Sequence, residues 1–321
     1  MKYTEFKERT EREFINYLPD EYKNGEVMIT TVNKTNIVLD GLTVYCGDRV
    51  SPTIYIQGMY EEYMHTGSFG YAMRISAKRY VEAAQSSKNM SISLDPQKIK
   101  ENVVFQIINT AANKVLLSKV PHREFEDVSF IYRWVIDAYD GEIASVVVNN
   151  NLIEQFDLCE EMLFRNAMDN TPRLLPISIQ NIESVIDELL KHIDFEDDDL
   201  QDIFQDIEGT LSPMYVITNT SKQYGAGAVF YKDALHQIAE KEQKNLFLIP
   251  LSLHEMIAVP EVNKESDISV LLKMIHEVNR TQLPLSDRLS NELYFYDWKL
   301  RHFCKVSNAN MSIVFTEEEQ L

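Results

Sequence analysis

The stretch from Met214 to Glu261 constrains this chain more than any other part of it. Short runs of Val, Ile, Leu and Phe are separated by turn residues, and one run of helical period lies between them. The pattern predicts a strand over Met214–Thr218, a strand over Gly225–Tyr231 and a helix over Lys232–Gln243. Strands over Leu246–Pro250 and Glu255–Val259 complete the unit. Elements in that order bury their apolar faces by stacking helix on sheet, so the expected fold class is α+β.

With 321 residues the chain has room for two domains. The expectation is two mixed domains, 1–150 and 151–321, each an antiparallel or mixed sheet packed with amphipathic helices. In the first, a helix is expected over residues 3–18, followed by strands Val27–Val32, Ile37–Leu39 and Leu42–Tyr45. Asp40-Gly41 suits a tight type I′ turn between the last two. Gln57 to about Gln85 reads as helical with a break near Gly67–Gly70, and its many Tyr and Met residues read as packing. Strands follow at Val103–Ile108, Val128–Ile136 and Ala144–Val148. Pro121–Asp127 reads as a polar connection, Asp140-Gly141 as a turn and Asn149-Asn150-Asn151 as a domain edge. In the second domain, helices are expected over Leu158–Met168, 178–193 and 266–279, the latter two covering the sheet, with a last strand at Leu293–Tyr296.

Charge narrows the function classes. Acidic residues outnumber basic ones by 50 to 31, a formal charge of −19. Such a surface repels phosphate backbones and anionic lipids, so nucleic acid and membrane are disfavoured as partners, and a protein with a basic surface is favoured. No apolar run reaches the length of a membrane helix, and Met1–Arg9 has no secretory character. Cys46, Cys159 and Cys304 are too few and too scattered for a disulfide framework or a zinc ribbon. These features point to the cytoplasm. The run Asp194–Glu208 holds eight carboxylates and no Lys or Arg, but lacks the glycine and glutamate of a calcium loop, and reads as a solvated face. Glu317-Glu318-Glu319 reads as a frayed tail.

The candidate chemistry gathers at Pro250–Glu255. His254 could act as a base and Glu255 as an acid if a pocket forms there; the plainer reading is a polar turn between two strands. A zincin helix needs a second His four residues on, and residue 258 is Ala. Ser252 has no glycine elbow around it. Gly225-Ala226-Gly227 lacks the third glycine of a dinucleotide loop and reads as a bend or a close strand approach. His302-Phe303-Cys304 offers two ligands without a second pair. No cofactor and no metal is expected. Asn219 and Tyr224 are the candidate ligand-binding residues beside His254, Glu255 and Ser252.

Five blocks carry a resemblance: Ser51–Tyr55, Met214–Asn219, Tyr224–Ala226, Ile249–Glu255 and Asn279–Thr281. Through them the chain resembles a domain-of-unknown-function family from anaerobic gut bacteria, over about residues 5–300. Its blocks are Ser-Pro-Thr-Ile-Tyr, Tyr-Val-x-Thr-Asn with Gly-Ala, and one like Pro-Ser-Ser-x-His-Glu. Leu251 stands where that last block has Ser, which weakens any serine-based site. The resemblance implies no substrate or cofactor, and its proximity to mobile-element genes implies an accessory role. Two functions follow as expectations. The first is a cytoplasmic, non-enzymatic protein-binding accessory protein. The alternative is a small-molecule enzyme or ligand-binding protein with a pocket near His254 and Glu255. Oligomeric state is left open.

Overall fold

The computed structural model describes residues 1–46, 51–87, 95–139, 142–182, 213–261 and 265–306. The chain forms two compact units, Met1–Ser93 and Leu94–Leu321. The fold is α+β, and among the described residues it holds three antiparallel sheets. The expected boundary at 150 falls inside the second unit.

In the first unit, helix α1 (Tyr3–Glu13) continues as a 3₁₀ turn at Phe14–Tyr17. Strands β1 (Glu26–Lys34), β2 (Ile37–Tyr45) and β3 (Thr53–Tyr55) pair in that order. Helices α2 (Ile56–Thr66) and α3 (Phe69–Ser87) follow. Gly67 ends α2 with a positive φ of 69°, a conformation glycine adopts without steric cost, so the expected helix break is confirmed. Phe6, Phe14, Leu42, Ile56, Met73 and Tyr80 are the largest fully buried side chains of its core. The Asp40-Gly41 turn is corrected: the hairpin turns at Thr35-Asn36, where Asn36 has φ 63°, and Asp40 and Gly41 lie inside β2. The Asp40 carboxylate accepts from Tyr3 Oη and Lys7 Nζ, both at 2.6 Å.

The second unit opens with α4 (Pro96–Asn102), β4 (Val103–Asn109) and α5 (Lys114–Leu117). Strands β5 (His122–Phe125), β6 (Val128–Tyr139) and β7 (Glu142–Val147) follow, with β6 pairing to all three of β4, β5 and β7. Helices α6 (Asn150–Gln155) and α7 (Glu160–Leu174) lead to β8 (Ile177–Asn181) and β9 (Tyr215–Asn219). Then come α8 (Ala234–Glu242), β10 (Leu246–Pro250), β11 (Met256–Pro260), α9 (Glu265–Thr281), β12 (Tyr294–Asp297) and β13 (His302–Lys305). The second sheet of this unit runs β13-β12-β10-β11-β9-β8.

Every residue of β10 and β11 is buried. Phe247 and Ile249 pack with Ile268, Leu271 and Ile275 of α9, while Leu246 and Leu248 join the main core. Burial on both faces explains why Leu246–Pro250 reads as an unbroken apolar run. The main core unites both sheets of the unit: Phe105, Phe130 and Tyr132 share it with Tyr215, Ile217 and Ala258. Asp127, before β6, accepts from Ser290 Oγ at 2.6 Å and Tyr294 Oη at 2.7 Å, a second tie between the sheets.

Three further expectations change. Residues 178–181 lie in strand β8, paired with β9, and do not begin a helix. Two strands, β5 and β13, arise where none was expected, each completed by pairing to a neighbour. The rest of the expected 178–193 helix, the acidic run, Asp140-Gly141 and the Glu317–Glu319 tail lie outside the described residues.

Candidate functional site

Residues 225–231 are not a strand. Gly225–Phe230 is a 3₁₀ helix that follows directly on the β9 loop. Its start is set by two close approaches. Tyr224 sits in the left-handed region with φ 54°, and Gly225 lies against the backbone of both neighbouring segments. A Cβ on Gly225 would collide with Thr218 Oγ1 and come within 2.6 Å of the His254 carbonyl and 2.7 Å of the Asn219 nitrogen. A Cβ on Gly227 would meet the Phe105 ring at 2.8 Å. The close approach expected of these glycines is therefore present, but against a loop and an aromatic ring rather than along a ladder.

The β9 loop is held by its own polar side chains. Asn219, 1% exposed, donates from Nδ2 to the Gln223 carbonyl at 2.8 Å and accepts from Ser221 Oγ at 2.9 Å. Ser221 Oγ in turn accepts from the Gln223 nitrogen at 3.3 Å. The β10–β11 connection is built the same way. Ser252, 5% exposed, accepts at Oγ from the His254 nitrogen at 3.0 Å. Thr218 Oγ1 donates to the His254 carbonyl at 2.7 Å and so ties the two loops together.

Where they meet, the Tyr224 backbone N–H donates to His254 Nδ1 at 3.1 Å. That bond requires a lone pair on Nδ1, so in the neutral ring Nε2 carries the proton. The His254 and Tyr224 rings stack at 5.8 Å. The Arg133 guanidinium, from β6, lies 5.0 Å from the Tyr224 ring centre. Burial lowers the Arg133 pKa from its ordinary value, and the field of Tyr224 partly restores it.

The structure thus brings together four of the five residues the sequence singled out. Asn219, Tyr224, Ser252 and His254 converge where two loops meet. Glu255 is half-buried at the same corner but makes no hydrogen bond or ion pair through its side chain among the described residues. Asn219 and Ser252 hold backbone, and His254 Nδ1 is occupied, so the corner presents Nε2–H as a donor. Arg133 and its neighbour Gln106 were missed. Both left a signal: each is a polar residue inside an otherwise apolar strand run, Val103–Ile108 and Phe130–Ile136, and a buried strand excludes such residues unless they are partnered.

A separate groove of about 400 Å³ runs along α9, lined by Val270, Lys273, Met274, Glu277, Val278 and Thr281. It contains none of the corner residues. Among the described residues no three His, Cys, Asp or Glu side chains are grouped to hold a metal ion. None of their helices is long and apolar enough to cross a membrane.

The fold and the loop corner define an α+β protein. The chain belongs to a family of unknown function, DUF5688, whose model matches residues 3–298. No curated protein and no solved structure matches it.

Proposed function

We propose that the second unit is a small-molecule binding module whose site is the corner formed by Tyr224 and His254. The observation that carries this reading is the Tyr224 N–H bond to His254 Nδ1. It turns His254, a half-buried residue, from a base into an oriented donor whose Nε2–H has no protein acceptor among the described residues. The groups that would run nucleophilic or base chemistry, Ser252 Oγ and His254 Nδ1, already serve the backbone. Binding is therefore the reading supported over catalysis. The three cysteines are free thiols, which fits a reducing, cytoplasmic setting.

A second reading, association with a basic protein partner, draws on the −19 charge and on the α9 groove, where Val270 is 60% exposed. One experiment weighs the two. Thermal unfolding of the full chain is followed against a panel of small metabolites, for wild type and His254→Gln. The binding-module reading expects at least one compound to raise the wild-type midpoint and to lose that effect in His254→Gln. A panel without any such compound overturns it. Association with a basic protein that weakens with salt and is lost in Val270→Asp supports the second reading instead.

A further inference from the structure

Arg133 is half-buried in a chain with 50 acidic residues, yet no carboxylate pairs with it among the described residues. Its Nε donates to Ser145 Oγ at 2.9 Å, and Nη2 to the Ser145 carbonyl at 3.3 Å. Its Nη1 donates to Gln106 Oε1 at 3.3 Å. A guanidinium has five N–H groups, so two remain unused. Gln106 is fully buried, and its Nε2 has no hydrogen-bond partner. The amide cannot be turned round to cure this, because Nε2 would then face another donor on Arg133.

The unmet groups on these two touching side chains are all donors. What completes them is an acceptor, and the uncompensated positive charge makes a negatively charged acceptor the best one. We propose that Arg133 and Gln106 form an oxyanion-binding subsite for the carboxylate or phosphate group of a small molecule. The subsite rests on the reading of the corner given above, since the Tyr224 ring bridges Arg133 to His254 and one ligand would span both. The anion would sit against the guanidinium and Gln106 Nε2, and its body would lie along Tyr224 toward His254 Nε2–H.

The test uses the full chain at low ionic strength, titrated with inorganic phosphate and, separately, with succinate, with sodium chloride as the ionic-strength control. Affinity is read by calorimetry and by the rise in unfolding midpoint. The expected result is saturable binding of at least one of the two beyond the chloride response; which one binds assigns the head group. Gln106→Met, close to isosteric, is expected to weaken that binding about tenfold while changing the midpoint of the free protein little, because the unmet Nε2 donor it removes is offset by the acceptor that Arg133 Nη1 loses. A purely structural Gln106 would lower the midpoint along with the affinity, not the affinity alone. Arg133→Lys keeps a charge but loses the fork, and is expected to weaken binding at least as much; if it fails to fold, Gln106→Met decides alone. No response beyond chloride, or wild-type affinity in Gln106→Met, overturns the subsite. A metabolite response without oxyanion binding sinks the subsite alone. Oxyanion binding that survives when no metabolite response depends on His254 sinks the His254 reading alone.

Discussion

Gly41 and Gly225 occupy opposite situations, and each contradicts its local sequence. Gly41 follows an Asp in a dipeptide made for a turn, yet it lies mid-strand, opposite Thr30 on one side and Tyr55 on the other. Gly225 opens an apolar run with strand composition, yet it begins a 3₁₀ helix. Neither glycine has positive φ. What they share is proximity: a Cβ on Gly41 would meet Thr53 Cγ2 and Val32 Cγ2, both at 2.7 Å, and one on Gly225 would meet backbone. The lesson is that these two glycines mark close approach, which a turn table cannot distinguish from a bend. The difference lies in what blocks the way. Side chains can rotate aside; the His254 carbonyl and Asn219 nitrogen cannot.

That difference sets the order of expected effects. Gly225→Ala is expected to cost the most, about 3 kcal/mol, because the β9 loop must separate from the β10–β11 connection. Urea unfolding checks it, and a loss below about 1 kcal/mol would show that the two loops part easily. Gly41→Ala is expected to cost about 1 kcal/mol, since Thr53 and Val32 carry the clash at their methyl ends. Adding Val32→Ala to it should recover part of that loss; a double variant less stable than the sum of the single ones would break the comparison.

The smallest effect concerns Asp40, beside Gly41. Burial raises its carboxyl pKa, but hydrogen bonds from Lys7 and Tyr3 and the Lys7 charge outweigh burial, so the net shift is downward. A carboxyl lowered by folding adds stability above its unfolded value, and that gain disappears as pH falls through the folded value. The stability difference between wild type and Asp40→Asn is therefore expected to be under about 1 kcal/mol at neutral pH and to vanish in acid. An acid-independent difference would show that the Lys7 and Tyr3 contacts contribute nothing through charge.

Parts of the fold are legible without coordinates for a local reason. Leu246–Pro250 is the strand its apolar run predicts, and Glu265–Thr281 is a helix because Ile268, Leu271 and Ile275 recur at helical spacing against one cluster. The break at Gly67 is likewise local, since it needs only one left-handed residue. Elements that exist through a partner were illegible. His122–Phe125 and His302–Lys305 are polar strands whose ladders are completed by β6 and β12, and nothing in their own composition announces the neighbour. At the site, Ser252 and His254 stand out as polar residues in an apolar segment, but what each does depends on atoms from other segments: the Tyr224 N–H fixes the His254 ring, and the His254 nitrogen occupies Ser252.

The sequence by itself determined the class of fold, since periodicity dictates which faces must be buried and α+β layering is how such faces are covered. It also determined the formal charge of −19 and the family, matched over residues 3–298. Only the tertiary structure decided that Gly225–Phe230 is a 3₁₀ helix and that Gln106, Arg133, Tyr224 and His254 meet. The physical reason is range. Periodicity records burial within one element, whereas a desolvated guanidinium and an unmet amide acquire meaning only from groups that folding carries in from distant parts of the chain.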